Sequence, residues 1–495
     1  MPLSQMRRPQ GWGSPDMREM ESHQVESSGS RNADLPDNVF LKGSLWIVFA
    51  RTAAPIILIM LVNGLFNLVD AWFLGVFVGA EALTAVTLMF PLFMMLIAMA
   101  TIVTNGFASV MARLLGAREP KTVLGNAFAG AILLSLIFCV VLIGLFFLFG
   151  SDLVGLVARG SAAIAQQGYL YIAILVLLSP ITFVEMLLFD LLRCEGRVSF
   201  MTMASLSTIL LNVVFNYILI AKLDMGVAGS AFGTIAAQFV AGLAVIIYRF
   251  FSPSILSFSA LSYDRMTRYW RDYLALGVPP SLGYLGVSLS SAAVIFCLQL
   301  WSGDGYEATV GAYGITTRLM TFSFLPLLGL AMAFQTVLGN NFGARIWVRT
   351  DASLKLALLS ALFYCVIVQA GFLTYADVIG YGFVDDAAIA SETGRILPYM
   401  MALFFLFGPS MILAYYFQAT GDARRSAAMS LSRTYVFGLP LTFILPLAFG
   451  EQGIWLAGPL AEIMMLALAV YLMIQMRRIH GLRWGLFRSE ATSTR

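Results

Sequence analysis

The sequence predicts an all-α integral membrane protein with twelve transmembrane helices, arranged as two parallel six-helix lobes around a central cleft. Three observations predict it. Of 495 residues, 59% are hydrophobic and only 12% charged, with mean hydropathy +0.84, whereas soluble globular chains carry about 25% charged residues. Lys and Arg gather on alternate loops. The chain also repeats itself with a period of about 227 residues.

The elements follow from apolar windows of about 20 residues, the length a bilayer core demands of a helix. They fall at 48–76, 84–112, 121–149, 163–192, 198–221, 226–250, 272–301, 309–340, 353–375, 395–418, 426–449 and 453–476. Residues 1–43, rich in Pro, Gly, Ser and mixed charge, lack a short apolar core followed by a cleavage site, so they read as a disordered tail and not a signal peptide. The N-terminal lobe then spans 44–250, an interlobe connector 251–271, the C-terminal lobe 272–478 and a basic tail 479–495.

One set of loops carries Arg113, Arg118, Lys121, Arg193, Arg197, Arg249, Arg265, Arg268, Arg271, Arg345, Arg349, Lys355, Arg424 and Arg425. The alternate set holds little beyond Arg159, Lys222 and Arg395. By the positive-inside rule this places both termini and the connector in the cytoplasm, for a multi-pass protein of the cell inner (plasma) membrane. The modest net charge of +3 is mostly a matter of topology, and no nucleic-acid partner is expected. Cys139, Cys194, Cys297 and Cys365 are scattered singly, accompanied only by His23 and His480, so neither a disulfide framework nor a structural metal site is expected.

The repeat is seen in "FASVMARLLGAR" (Phe107–Arg118) and "FQTVLGNNFGAR" (Phe334–Arg345), which match at Phe, Val and the closing Gly-Ala-Arg. "MGVAGSAFGTIA" precedes "QGIWLAGPLAEI" by one period. Six helices per period, an even number, make both copies enter the bilayer in the same direction, as parallel repeats related by an axis along the membrane normal.

A channel or a membrane enzyme would leave other marks. The sequence shows no filter-like Gly-rich loop, no ligand cluster and no nucleophile beside a base. An intramembrane acid within a repeat points to a transporter. That acid is Asp70, in "GLFNLVDAWFLG", with Asn63 and Asn67 on the same helix face. A charged side chain at helix centre costs about 2.5–3.5 kcal/mol on insertion scales.

Counting inward at about 1.5 Å per residue, Asp70, Tyr171, Asn212, Asn216 and Thr234 fall at a similar depth in the outer half. Asn212 and Asn216, spaced i, i+4, point the same way and can hydrogen-bond a neighbouring carboxyl. A carboxyl so withdrawn from water is suited to proton uptake, which makes Asp70 the candidate carrier. Glu185, in the inner half of the fourth helix, is a second candidate cavity acid. Asp190 reads as the i, i+3 partner of Arg193. Arg318 is an intramembrane cation with no partner visible in the sequence, and Glu462 an intramembrane acid without visible polar companions.

These residues resemble the multidrug and toxic compound extrusion (MATE) transporters over essentially all twelve helices. The resemblance rests on "LFNLVD", "ARLLGAR", "LLRCEGR", "LLNVVFNYILI", "GVAGSAFGT" and "FLPLLGLAMAFQTVLGNNFGAR" in their order and spacing. It implies export of amphipathic, often cationic small organic compounds, driven by inward H+ or Na+ and by rocking of two lobes. It implies no enzyme activity and no cofactor beyond the coupling ion. It places the cation site at Asp70, Tyr171, Asn212, Asn216 and Thr234, while Asn63, Asn67, Glu185 and Arg318, read from the residues alone, stand as further cavity or relay positions.

Two departures bear on the ion. Where many relatives carry a second Asp, the fifth helix has Asn216, and the seventh and tenth helices lack acids. One carboxylate among neutral amides and hydroxyls favours H+, with Na+ left open. The expected partners are small substrates and membrane lipid, with the chain a monomer. The alternatives are a flippase for a lipid-linked oligosaccharide or other lipid, which wants a more cationic cleft or further helices, and a major-facilitator fold, whose loop signature "GAREPKTV" matches poorly. A receptor or scaffold leaves Asp70 unexplained.

Overall fold

In hydrocarbon every backbone amide must find its partner inside its own segment, and each apolar run of this chain accordingly closes into a long helix. The computed structural model describes residues 38–157, 161–251 and 265–488, apart from the side chains of 66–68, 71, 80, 156, 157, 304 and 480. The predicted tail up to residue 37, Arg159, connector residues 252–264 and the end of the basic tail therefore lie outside the described residues, as does the side chain of Asn67.

The first half comprises α1 (Leu45–Phe77), α2 (Ala80–Gly116), α3 (Lys121–Val157), α4 (Ala162–Leu177), α5 (Ser179–Cys194), α6 (Val198–Asn216) and α7 (Gly226–Phe251). The second comprises α8 (Trp270–Trp301), α9 (Tyr306–Gly343), α10 (Trp347–Thr374), α11 (Ala387–Met401), α12 (Phe404–Thr420), α13 (Ala423–Leu431) and α14 (Glu451–His480). Counting α4/α5 and α11/α12 as single broken crossings, up to twelve helices cross the membrane. Val140, Phe147 and Leu148 on α3 and Leu359 and Phe363 on α10 are exposed, as apolar side chains facing lipid should be.

The fourth and tenth windows are continuous in the sequence reading and broken in the structure. α4 and α5 meet at Leu178 with a 51° bend, and α11 and α12 meet across Ala402–Leu403 with a 47° bend. Pro180 at the start of α5 and Pro398 inside α11 remove backbone donors near each break. At the second break the Gln369 side chain takes up both freed groups. Its Nε2 donates to Ala402 O at 2.7 Å, and its Oε1 accepts from Phe405 N at 2.9 Å.

Two wide π-type turns also interrupt crossings, Tyr217–Lys222 after α6 and Ser432–Gly438 after α13. The second lies just ahead of Pro440 and starts beside Arg433, so the eleventh crossing is continued by the short helices Leu439–Ile444 and Pro446–Phe449.

The halves meet with α2 along α8 and α1 along α9. They approach closely at the end carrying the basic loops. A Cβ on Gly116 would stand 2.0 Å from Asn340 O, and one on Gly343 would stand 2.1 Å from Arg113 O. Only glycine admits a neighbouring backbone so closely. Above this seam, between the halves, lies a cleft of about 450 Å³.

Candidate functional site: a carboxylate ring and a central cleft

α1 carries the key acid two turns from the cleft. Asp70 Oδ1 accepts from Asn216 Nδ2 at 2.7 Å, and Ser230 Oγ donates to Asp70 Oδ1 and Oδ2 at 3.3 and 3.4 Å. Asn216 Nδ2 also donates to Asn212 Oδ1 at 2.8 Å, and Asn212 Nδ2 to Thr234 Oγ1 at 2.9 Å. Thr234 Oγ1 donates in turn to Ser230 O at 3.1 Å, which closes a ring through α1, α6 and α7. Asn212, Asn216 and Ser230 are buried.

The ring depends on close packing between α6 and α7. A Cβ on Gly233 would stand 2.3 Å from Asn216 Oδ1. That oxygen is buried with no hydrogen-bond partner, while the Nδ2 of the same amide is fully used. The cost of an orphaned acceptor, of order 1–3 kcal/mol, is borne to point both amide protons at the Asp70–Asn212 side. Tyr171, buried on α4, belongs to the same apolar cluster as Ala231 and Ile235 of α7 and makes none of the ring's hydrogen bonds.

The ring does not line the cleft. Asn63, on the same α1 face as Asp70, does, together with Asn105, Tyr284, Tyr415 and the charged residues Asp190, Arg193 and Arg433. Arg193 donates through Nε and Nη2 to Asp190 Oδ1, at 3.2 and 2.7 Å. Its Nη1 crosses to the other half, reaching Met332 O at 2.8 Å and Thr336 Oγ1 at 2.9 Å. The sequence spacing gave the Asp190–Arg193 pair but not its crossing role.

Glu185 faces into the N-terminal half, where Thr208 Oγ1 donates to its Oε1 at 3.2 Å, and it is not among the cleft-lining residues. Arg318 is exposed and makes no hydrogen bond or ion pair among the described residues. Glu462 has a companion the sequence reading missed: Arg433 Nε donates to its Oε1 at 2.5 Å. Arg433 stands within the eleventh window, where a count of loop charges does not look, and a lone Arg there opposite a lone Glu in the twelfth was the available signal. Ser230, also missed, lies one turn before Thr234 on the same face.

Among the described residues no group of three or more His, Cys, Asp or Glu could hold a metal ion. What the site offers is one carboxylate ringed by four neutral hydrogen-bonding residues, and a separate cleft lined by both halves.

The profile of the MatE family matches the chain twice, over residues 55–218 and 279–444. The chain belongs to the MATE family. The double match falls on the two halves of the internal repeat and covers more than half of the sequence. MATE proteins are membrane transporters, not enzymes. The chain is 25% identical, over 89% of its length and 95% of the relative's, to a multidrug export protein, MepA, of Staphylococcus aureus. It is 26% identical, over the same shares, to the MepA of Staphylococcus saprophyticus subsp. saprophyticus. In fold it is similar to an outward-facing multidrug resistance MATE transporter of the MOP superfamily, with a TM-score of 0.80 at 24% identity, covering 90% of this chain and 98% of that one.

Proposed function

We propose that the protein is an H+-coupled antiporter that exports amphipathic organic compounds, cationic ones among them, across the cell inner membrane. The observation that carries this reading is the Asp70 ring: a single carboxylate, held by Asn216 and Ser230 and set apart from the cleft. Multidrug export by the similar staphylococcal proteins supports the substrate class.

With the basic loops cytoplasmic, the glycine seam is the inner gate and the cleft is closed toward the cytoplasm. A proton arriving from outside neutralises Asp70 and removes the charge that Asn216 and Ser230 hold, so their bonds weaken. α1 is then freed to shift against α6 and α7. Asn63 lies two turns along the same face, about 10.5 Å away, so the shift reaches the cleft wall and expels cargo. Ion and cargo therefore act through α1 and not by contact. Each shifts the equilibrium only by its differential affinity for the two lobe arrangements.

The test is transport in proteoliposomes carrying an organic cation dye, with wild type and Asp70→Asn compared. A proton gradient without Na+ should drive dye movement in the wild type, and Asp70→Asn, correctly folded, should abolish it. Movement that requires Na+ and ignores the pH gradient overturns the ion assignment, while no movement under either gradient favours the lipid flippase.

A further inference from the structure

The charged side chains of the cleft are not equally available. Arg193 is 1% exposed and spent on Asp190 and α9. Arg433 is 38% exposed, and its only hydrogen bond among the described residues runs from Nε to Glu462. Its two terminal nitrogens are thus uncommitted. Its Cζ stands 3.8 Å from the Phe407 ring centroid, a cation–π contact that holds the guanidinium plane against an aromatic wall of the same cleft.

Glu462 holds Arg433 from behind. It is 7% exposed, does not line the cleft, and its Oε2 is buried without a partner. One edge of the fork is therefore fixed while the edge bearing both terminal nitrogens remains available, the edge that matches a carboxylate or phosphate through two parallel hydrogen bonds. A cation arriving beside Phe407 meets the guanidinium first and the Glu462 charge only behind it. Met186, Met411 and Met465 supply adaptable apolar wall. The volume of about 450 Å³ suits a drug-sized molecule.

We propose that Arg433 is a substrate-binding residue and that the cleft selects aromatic amphipathic compounds bearing an anionic group, with the anion on the Arg433 terminal nitrogens and the ring system along Phe407. This rests on the export reading and names the chemical feature of the cargo.

Two dyes of one scaffold test it: rhodamine 110, whose benzoate is free, and its methyl ester, rhodamine 123. Binding to the purified full chain is followed by fluorescence anisotropy, and folding of each variant by gel filtration. The free acid should bind more tightly than the ester in the wild type. Arg433→Gln should lower that preference about tenfold, the order of a charge-assisted pair, and Arg433→Lys should retain part of it. Glu462→Gln, which unmasks the guanidinium, should raise it. An ester bound as tightly as the acid, or a preference indifferent to Arg433→Gln, overturns the assignment. Gradient-driven movement of rhodamine 123 in proteoliposomes together with such indifference leaves export standing and the anion site refuted. No movement of either dye under a H+ or Na+ gradient refutes both.

Discussion

Arg113 and Asn340 occupy equivalent positions in the two repeats, and each donates to the end of a broken crossing in the opposite half. Arg113 Nη1 reaches Ala419 O at 2.9 Å, at the end of α12, and Asn340 Nδ2 reaches Cys194 O at 3.5 Å, at the end of α5. The glycines one turn further on are exchanged in the same way, Gly116 against Asn340 and Gly343 against Arg113. Even the strained backbone follows the repeat, with Arg118 at φ 55° and Arg345 at φ 58°. The pseudo-twofold axis thus passes through the seam, and the seam is a single self-complementary contact.

Blocking that contact should open it. In Gly343→Ala the added carbon meets the Arg113 carbonyl, and overpacking of this kind costs about 1–3 kcal/mol, enough to shift a two-state equilibrium about tenfold. Cys194 is the reporter, because it is buried and its carbonyl takes the Asn340 bond across the seam. With the other three cysteines replaced by Ala, its maleimide labelling should rise about tenfold in Gly343→Ala. Labelling as slow as in the parent would show that the seam does not gate access.

The segment before α1 should lock the same seam. Phe40 is buried, Asn38 Nδ2 donates to Asn340 Oδ1 at 2.7 Å, and Arg349 donates to Phe40 O at 3.0 Å and Gly43 O at 2.8 Å. On the other side Val39 and Phe40 press on Gly196 of the N-terminal half, so the strap touches both halves. Phe40→Ala should raise Cys194 labelling in the same direction as Gly343→Ala, with a stability loss no greater than the about 3–5 kcal/mol of a large-to-small core change. Unchanged labelling at a lowered Tm would make the strap a stabiliser and no latch.

Two glycines of one helix separate the ring from mere packing. Gly233→Ala drives a methyl into Asn216 Oδ1, whereas a Cβ at Gly242 meets nothing within 4 Å. The first should reduce proton-driven transport as severely as Asn216→Ala. The second should leave transport intact and raise stability by about 0.5–1 kcal/mol, the helix preference for Ala over Gly. Equal effects of the two on transport would remove the ring from the coupling mechanism.

The helices were legible because a bilayer forces long uniform apolar runs, and the ring residues could be compared because a helix rises by a fixed step per residue. Asp70, Asn212, Asn216 and Thr234 could be brought together by counting turns. What the count could not see is sideways contact. Ser230 is too ordinary a residue in a membrane helix to stand out, and the Gln369 side chain repairs a break 33 residues away. The basic loops were read for orientation alone, yet Arg113, Arg193 and Arg349 each hold segments of different halves or of the strap. Charge alternation records which side a residue lies on and nothing of what it fastens. Arg433 was hidden for the converse reason, since it sits inside an apolar window where only the fold brings Glu462 to it.

The choice of ion should be reversible at one position. Asn216 Nδ2 lies 2.7 Å from Asp70 Oδ1, so Asn216→Asp sets two carboxyls at hydrogen-bond distance. Two such charges cannot both ionise unless a proton or a cation lies between them. A bound Na+ would satisfy both, and it would find neutral oxygens in reach, the Asn212 amide at 2.8 Å from residue 216 and the Ser230 hydroxyl at 3.3 Å from Asp70. Hard cations of this kind prefer several oxygens. In proteoliposomes at matched pH, an inward Na+ gradient should leave wild-type transport near its gradient-free rate and should stimulate the Asn216→Asp variant several-fold. The double variant Asp70→Asn with Asn216→Asp, again holding one carboxyl, should lose the Na+ response. A wild type already stimulated by Na+ would mean that the single carboxylate and its neutral oxygens suffice for the larger ion. An Asn216→Asp protein that folds and ignores Na+ would mean that the second charge is not what the site lacks.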